Sequence, residues 1–308
     1  MHVATIPAGT GRRIERIGND PALPGIRRIE WHDASAPDGR FLRLPLPDVV
    51  CTMNIGVVGR YRLNADSAWR AFPRVAFRGV SRAPSEGDDP ATGAIGYITV
   101  IIAPWAMRIY SEIAGAQLAD RIVDATCSDP AWRTLWQALK TEMDPLTRLR
   151  VVSQWLTTRA ATATWSPRTA AIVDAIAADQ SIASIARTVS LSTRRVHQLC
   201  VQETGHSPTT YRQIARFARL AQALHRDGNA QRWSQHVREY ADDSHAIREF
   251  RRLARVTPRD YAARVASFLC ISSATQRQRT YTPDWRKPAP TESDEERDPV
   301  QATLPNRI

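Results

Sequence analysis

Lysine is nearly absent from this chain: Lys140 and Lys287 are the only two, so its positive charge is almost all guanidinium. Cysteine is scarce as well, with Cys51, Cys127, Cys200 and Cys270 set far apart and no C-x-x-C pair. That spacing excludes a disulfide framework and a zinc ribbon, and reduced thiols are expected. Cys200 is expected in a core and Cys51 in a strand. No apolar run approaches the roughly 18 residues that a membrane span requires. The opening MHVATIPAGTGRRIERIG lacks the apolar core of a secretion signal, so a soluble, cytoplasmic chain is expected. His197, His206, His225, His236 and His245 never form H-x-x-x-H on one helix, and neither a metal nor any other cofactor is expected. Neither Cys51 nor Cys127 lies in basic, histidine-supported sequence, so no catalytic residue and no enzymatic activity are expected.

What is present is an excess of positive charge. Lys plus Arg number 42 against 31 Asp plus Glu, a net charge of +11 over 308 residues. The excess is densest between residues 166 and 267, where 16 arginines face nine carboxylates. Such a surface calls for a polyanionic partner, although charge alone does not choose between nucleic acid and an anionic membrane. The length is enough for two domains, each with its own apolar core.

The texture changes along the chain. Residues 1–25 are rich in Gly, Pro and Arg without periodicity and read as an irregular, flexible arm. From Ile26 to Ile102, short apolar or alternating runs (FLRLPL, VVCTMNIGVVG, RVAFRGV, YITVII) are separated by Pro, Gly, Asp and Asn, which predicts strands. In LPDVVCTMNIG the Leu-Pro-Asp reads as a turn, with an effector contact by Asp48 near Asn54 as the alternative. After Pro104 the pattern turns helical. Trp132, Leu135, Trp136 and Leu139 recur at i, i+3, i+4 and i+7, the stripe of an amphipathic helix. The tryptophans Trp132, Trp136 and Trp155 are expected to pack in the core rather than to line a pocket. Asp129-Pro130 and Asp144-Pro145 each supply a cap followed by a first-turn proline. Beyond Phe268 the chain is rich in Ser, Thr, Pro and charge, and 268–308 is expected to be a disordered tail.

The decisive stretch is SPRTAAIVDAIAADQSIASIARTVSLSTRRVHQLCVQETGHSP. Ser166 and Pro167 start one helix, with Ile172, Val173 and Ile176 facing inward. Ser181 caps a second, short one containing Ile182, Ile185, Ala186 and Val189. After a tight connection at Ser190 and Leu191, Ser192 caps a third helix that buries Val196, Leu199 and Cys200. On that register Arg194, Arg195, His197 and Gln198 point outward. Ala186 lets the third helix cross the second closely and Leu191 plugs the corner, which is a helix-turn-helix. In such a unit the third helix fits the major groove, where Arg pairs with guanine and Gln with adenine through two hydrogen bonds.

A second unit is expected in RWSQHVREYADDSHAIREFRRLARVTPRDYAARV. There Asp242 or Asp243 caps a helix with Ile247 and Phe250 inward, leaving Ser244, Arg248, Arg251 and Arg252 for bases or phosphates. Between the units a helix presents an apolar stripe (Tyr211, Ile214, Ala218, Ala221, Leu224) and a cationic one (Arg212, Arg216, Arg219). About 18 residues span roughly 27 Å, which sets two reading heads near one duplex turn of roughly 34 Å apart.

At these residues the chain resembles the DNA-binding domain of the AraC/XylS family. In order come the small Ala of the second helix (SIASIARTV), the Leu191-Ser192 turn, the third helix, and Gly-x-Ser-Pro at Gly205, Ser207 and Pro208. The linker helix follows, then Arg-x-Phe-Arg-Arg (Arg248, Phe250, Arg251, Arg252) and the closing Thr257, Pro258 and Tyr261. About 100 residues are covered. The resemblance implies base-facing roles for Arg194 and Gln198 in the first unit, and for Asp243, Ser244 and Arg248 in the second. Its departures are Ser190, Glu239 and Arg255, each where the family has Gly. A non-Gly residue held at positive φ costs on the order of 1 kcal/mol, so the second unit is expected to grip phosphate more than it reads bases. More weakly, LPDVVCTMNIG, FRGVSRAP and GYITVIIAPWAMRIYSEIAGAQLADRIVD resemble the β-rich domain that precedes this module in one group of such regulators.

The expected fold class is therefore α+β: an N-terminal β-rich, barrel-like domain ending in helices (26–165), then an all-α double helix-turn-helix domain (166–267). The resemblance implies double-stranded DNA as partner, with effector sensing or homodimerisation by the N-terminal domain and RNA polymerase as a further partner of an activator. Its location would be cytoplasmic, on the nucleoid. Two other classes compete: an interaction protein with a degenerate, non-DNA-binding helix-turn-helix domain, and a DNA-modifying enzyme with a fused one.

Overall fold

A computed structural model describes residues 3–6, 13–17, 22–35, 48–59, 62–65, 68–84, 86–88, 94–227 and 243–261. Its strands are β1 (Val3–Ile6), β2 (Arg13–Ile17), β3 (Ile26–Ser35), β4 (Cys51–Val58), β5 (Arg62–Ala65), β6 (Ala68–Ala71), β7 (Val75–Arg78), β8 (Glu86–Asp88), β9 (Ala94–Ile102) and β10 (Ile122–Asp124). Among the described residues they form an antiparallel seven-stranded sheet, ordered β1-β2-β3-β9-β4-β7-β10, and a three-stranded one, β6-β5-β8. Residues 1–25, where an irregular arm was expected, contain β1 and β2, which pair from Val3 opposite Ile17 to Ile6 opposite Ile14. Backbone pairing along β3 supplies what the Gly, Pro and Arg composition conceals, because alternation over four or five residues is a faint signal beside so many turn formers.

The alternation of β4 explains the sheet. Cys51, Met53, Ile55 and Val57 are buried on one face, while Thr52 and Asn54 lie on the other. Ile29 and Trp31 from β3, Val75 and Phe77 from β7, and Ile98, Val100 and Ile102 from β9 are buried in the same core. The second face is polar and also little exposed. There Glu30 pairs across the ladder with Thr99, Thr99 donates to Asn54 Oδ1 at 3.0 Å, and His32 stacks on Tyr97 at 4.6 Å.

Short helices follow β9: a 3-10 turn at Pro104–Ala106, α1 (Met107–Ser111), α2 (Gly115–Leu118) and α3 (Ala125–Ser128). The apolar face of the sheet is covered by α4 (Ala131–Thr141) and α5 (Pro145–Thr162). Trp132, Leu135 and Leu139 face inward, and Trp136 lies half-buried with its indole nitrogen donating to the Gly56 carbonyl at 2.8 Å. Trp132 packs on Phe77 and Trp155, with the Arg159 guanidinium over both indoles, so these rings are core. Asp144 accepts from the Thr147 amide and caps α5 as its Asp-Pro pair suggested, whereas α4 starts from Pro130 and Asp129, one residue earlier, accepts from the Ala131 amide.

The remaining helices are α6 (Pro167–Ala177), α7 (Ile182–Thr188), α8 (Thr193–Thr204), α9 (Pro208–Asp227) and α10 (Asp243–Ala254). One apolar cluster runs without a break from the sheet through α4 and α5 into α6, α7, α8 and the first turns of α9. A second, smaller one joins Phe217, Leu220, Ala221 and Leu224 of α9 to Ala246, Phe250, Leu253 and Ala254 of α10, with Tyr261. The tail, 268–308, and the helix expected around Trp233, with Glu239 and Asp242, lie outside the described residues.

Candidate nucleic-acid interface

Three serines start the first unit. Ser166, Ser181 and Ser192 accept from the amides of Thr169, Ser184 and Arg195, three residues on in each case. Ile172, Val173, Ile176, Ile185, Ala186, Val196 and Cys200 fill the space between the three helices. Burial pushes the Cys51 thiol up to about 12 and the Cys200 thiol to about 11, so both stay protonated and inert.

The connection between α7 and α8 carries the departure noted in the sequence. Ser190 lies at φ 51°, in the left-handed region that glycine occupies without penalty. Arg168, from the first turn of α6, donates to the carbonyl oxygens of Val189 and Ser190 and holds this turn from outside. Arg255, after α10, sits likewise at φ 61°. Both substituted glycine positions that fall within the described residues therefore keep the backbone a glycine would have. Glu239 lies outside them.

On α8, Arg194, Arg195, His197 and Gln198 are all exposed, opposite the buried Val196, Leu199 and Cys200. Arg194 and Gln198, four apart, share one face. The Arg195 guanidinium reaches Gln198 Oε1 at 3.5 Å. Ile182, Thr193, Arg194, His197 and Gln198 line an open depression between the start of α7 and α8. On α10, Asp243, Ser244, Arg248, Arg251 and Arg252 are exposed and His245 is half-buried. Ile247, expected inward, is 37% exposed; the inward arc runs through Ala246, Glu249, Phe250 and Leu253 and leaves Ile247 at its edge. Arg252 donates to Gln213 Oε1 of α9 at 3.4 Å.

The cationic stripe expected on α9 is not open to solvent as a ribbon. Arg212 and Arg216 pair with Asp179 at 2.8 and 3.6 Å, and Arg212 and Arg219 donate to the carbonyls of Gln180 and Ala177. These arginines neutralise the carbonyl end of α6. The apolar stripe of α9 is buried throughout, from Tyr211 to Leu224.

Sequence reasoning missed how tightly the first unit sits on the N-terminal half. A Cβ on Gly115 of α2 would lie 1.7 Å from the Glu203 carbonyl of α8. Gly205, which ends α8 at φ 75°, lies against Ala119 and Ala116. His206 Nε2 lies 3.2 Å from the Val80 carbonyl oxygen, and the Tyr211 hydroxyl donates to that of Val49 at 3.2 Å. Asp48 accepts from the Val49 amide at 2.7 Å and forms an isolated antiparallel bridge with Ser81. Burial raises the carboxyl of Glu203 and outweighs the opposing charge of Arg108. Among the described residues no three His, Cys, Asp or Glu side chains gather as metal ligands, and no helix is long and apolar enough to cross a membrane.

Capped α7 and α8 around a left-handed corner, joined through α9 to a second arginine-rich helix, define a helix-turn-helix protein. Residues 185–264 match the family described as a helix-turn-helix domain, which spans both arginine-rich helices. The matched segment, about a quarter of the chain, is similar to the helix-turn-helix modules of AraC-type regulators. No curated protein matches the chain. Among solved structures, ToxT from Vibrio cholerae is 11% identical with a TM-score of 0.41, over 80% of this chain and 98% of that one. A ToxT structure with an unsaturated fatty acid bound is 8% identical at 0.40, over 76% and 94%. The AraC-like transcriptional activator CuxR is 16% identical at 0.31, over 69% and 81%.

Proposed function

We propose that this chain is a sequence-specific DNA-binding regulator that reads the major groove with α8, near residues 192–204, and with α10, near 242–253. One observation carries the reading: Arg194, Arg195, His197 and Gln198 stand exposed on a capped helix whose opposite side is locked in the core. Arg194 suits guanine and Gln198 adenine, each through two parallel hydrogen bonds. Arg195 and His197 flank them. In the second unit Asp243, Ser244 and Arg248 face bases, while Arg251 and Arg252 hold phosphate. The N-terminal half serves as effector-sensing or homodimerising part, since its core continues into the first reading head. An activating role would add RNA polymerase as a partner, and the site of action is the nucleoid.

The test is a gel shift on the promoter region of the chain's own gene, comparing wild type with the Arg194→Ala, Gln198→Ala double variant. Each lost two-bond contact should cost about 1–3 kcal/mol of base preference. Equal sequence preference in both proteins overturns the assignment of α8.

A further inference from the structure

The depression beside the exposed face of α8 has one apolar wall, and that wall comes from outside α8. Ile182, first residue of α7, is half-buried, packed on the core with part of its side chain open to this depression. Thr193, first residue of α8, contributes a second methyl-bearing rim, and Arg194, His197 and Gln198 complete the lining. Hydrogen-bonding side chains beside a small apolar notch match one feature of the major groove. Among the four bases only thymine presents a methyl group there, next to the acceptor and donor edges that Arg and Gln read. The cationic rim favours the anionic duplex over an apolar small molecule.

We infer that Ile182, with Thr193, is a specificity-determining residue that receives the 5-methyl group of a thymine next to the base read by Gln198 or Arg194. This rests on the DNA-reading assignment of α8 and adds to it a base that the hydrogen-bonding side chains do not themselves identify. Ile182 supplies contact area, not a hydrogen bond, so the methyl group alone should carry its effect.

The experiment uses the full chain and a duplex enriched from a random pool by that chain. Each thymine of the enriched duplex is replaced singly by deoxyuridine, which removes only the methyl group. One thymine beside the α8 half-site should weaken wild-type binding about fourfold on losing its methyl, the worth of one buried methyl-sized group. Ile182→Ala should bind the two duplexes equally while keeping the preference set by Arg194 and Gln198. If Ile182→Ala loses its helical signal, Ile182→Val stands in, with sensitivity between that of wild type and none. No enrichment of any duplex overturns the DNA reading and this inference together. Enrichment with no methyl-sensitive thymine, or sensitivity unchanged in the Ile182 variants, overturns this inference alone.

Discussion

The Tyr211 hydroxyl donates to the Val49 carbonyl oxygen at 3.2 Å, and so ties the first turn of α9 to the segment leading into β4. Tyr211 is buried, and burial raises its phenol well above the ordinary tyrosine value, so it remains a donor at any physiological pH. With Gly115 against Glu203, this bond makes the sheet and the first helix-turn-helix unit one packed body. The exposed face of α8 is left clear of that contact, because the docking uses the end of the helix, whereas Arg194, Arg195, His197 and Gln198 occupy its beginning.

Replacing Tyr211 with Phe removes the bond and leaves the Val49 carbonyl short of a partner. The expected cost is about 0.5–1.5 kcal/mol. Gly115→Ala should cost more, since its new Cβ meets backbone rather than a movable side chain. Urea unfolding would show both as a lower midpoint with an unchanged slope. Wild-type stability in Gly115→Ala would mean that α2 and α8 are not in contact in solution.

Ser190 offers the opposite sign. Held at φ 51°, it stores strain that glycine would release, so Ser190→Gly should stabilise by up to about 1 kcal/mol despite the greater freedom of the unfolded chain. Arg168→Ala should destabilise, since it removes the guanidinium that holds the Val189 and Ser190 carbonyls. The two effects should not add, because they bear on one turn. Thermal unfolding of the single and double variants checks this.

The Ser190 position also shows what the sequence made legible. Caps at Ser166, Ser181 and Ser192 and the buried set Ile176, Ala186 and Val196 are local patterns, written within one turn of each helix, and they stand where expected. The pairing of β2 with β3, and of Arg212 with Asp179, depends on which distant segment arrives alongside, and periodicity carries no such address. Gly115 is the instructive case. In sequence it is one glycine among 14, and only the nearness of Glu203, 88 positions later, gives it a reason.

The docking of α8 has a pH signature. Burial first, opposed by Arg108, raises the Glu203 carboxyl in the folded state, so folding disfavours the ionised form. The penalty is fully present above the folded pKa, shrinks as pH falls through it, and is gone below the unfolded value. Glu203→Gln should therefore raise the melting temperature at neutral pH, and the gain should fade toward the pH at which free glutamate is protonated. A gain that stays constant down to that pH would assign the effect to packing instead.

The two arginine-rich helices should differ in how salt affects their variants. Arg251 and Arg252 are exposed on the last turn of α10, where contact is with phosphate by the assignment above, whereas Arg194 is placed against a base. Each phosphate contact releases counterions and contributes about 0.9 to the slope of log K against log salt. Arg251→Ala should lower that slope by about one while weakening binding to all duplexes alike; Arg194→Ala should leave more of the slope and relax preference at one base pair. Fluorescence anisotropy over a salt series, on a selected duplex and a scrambled one, separates the two. If Arg251→Ala altered base preference and Arg194→Ala only the slope, the second helix would be the reader and the first the clamp. That reversal would contradict the exposure of Gln198 beside Arg194, for a glutamine adds nothing to a phosphate clamp that a cation would not do better.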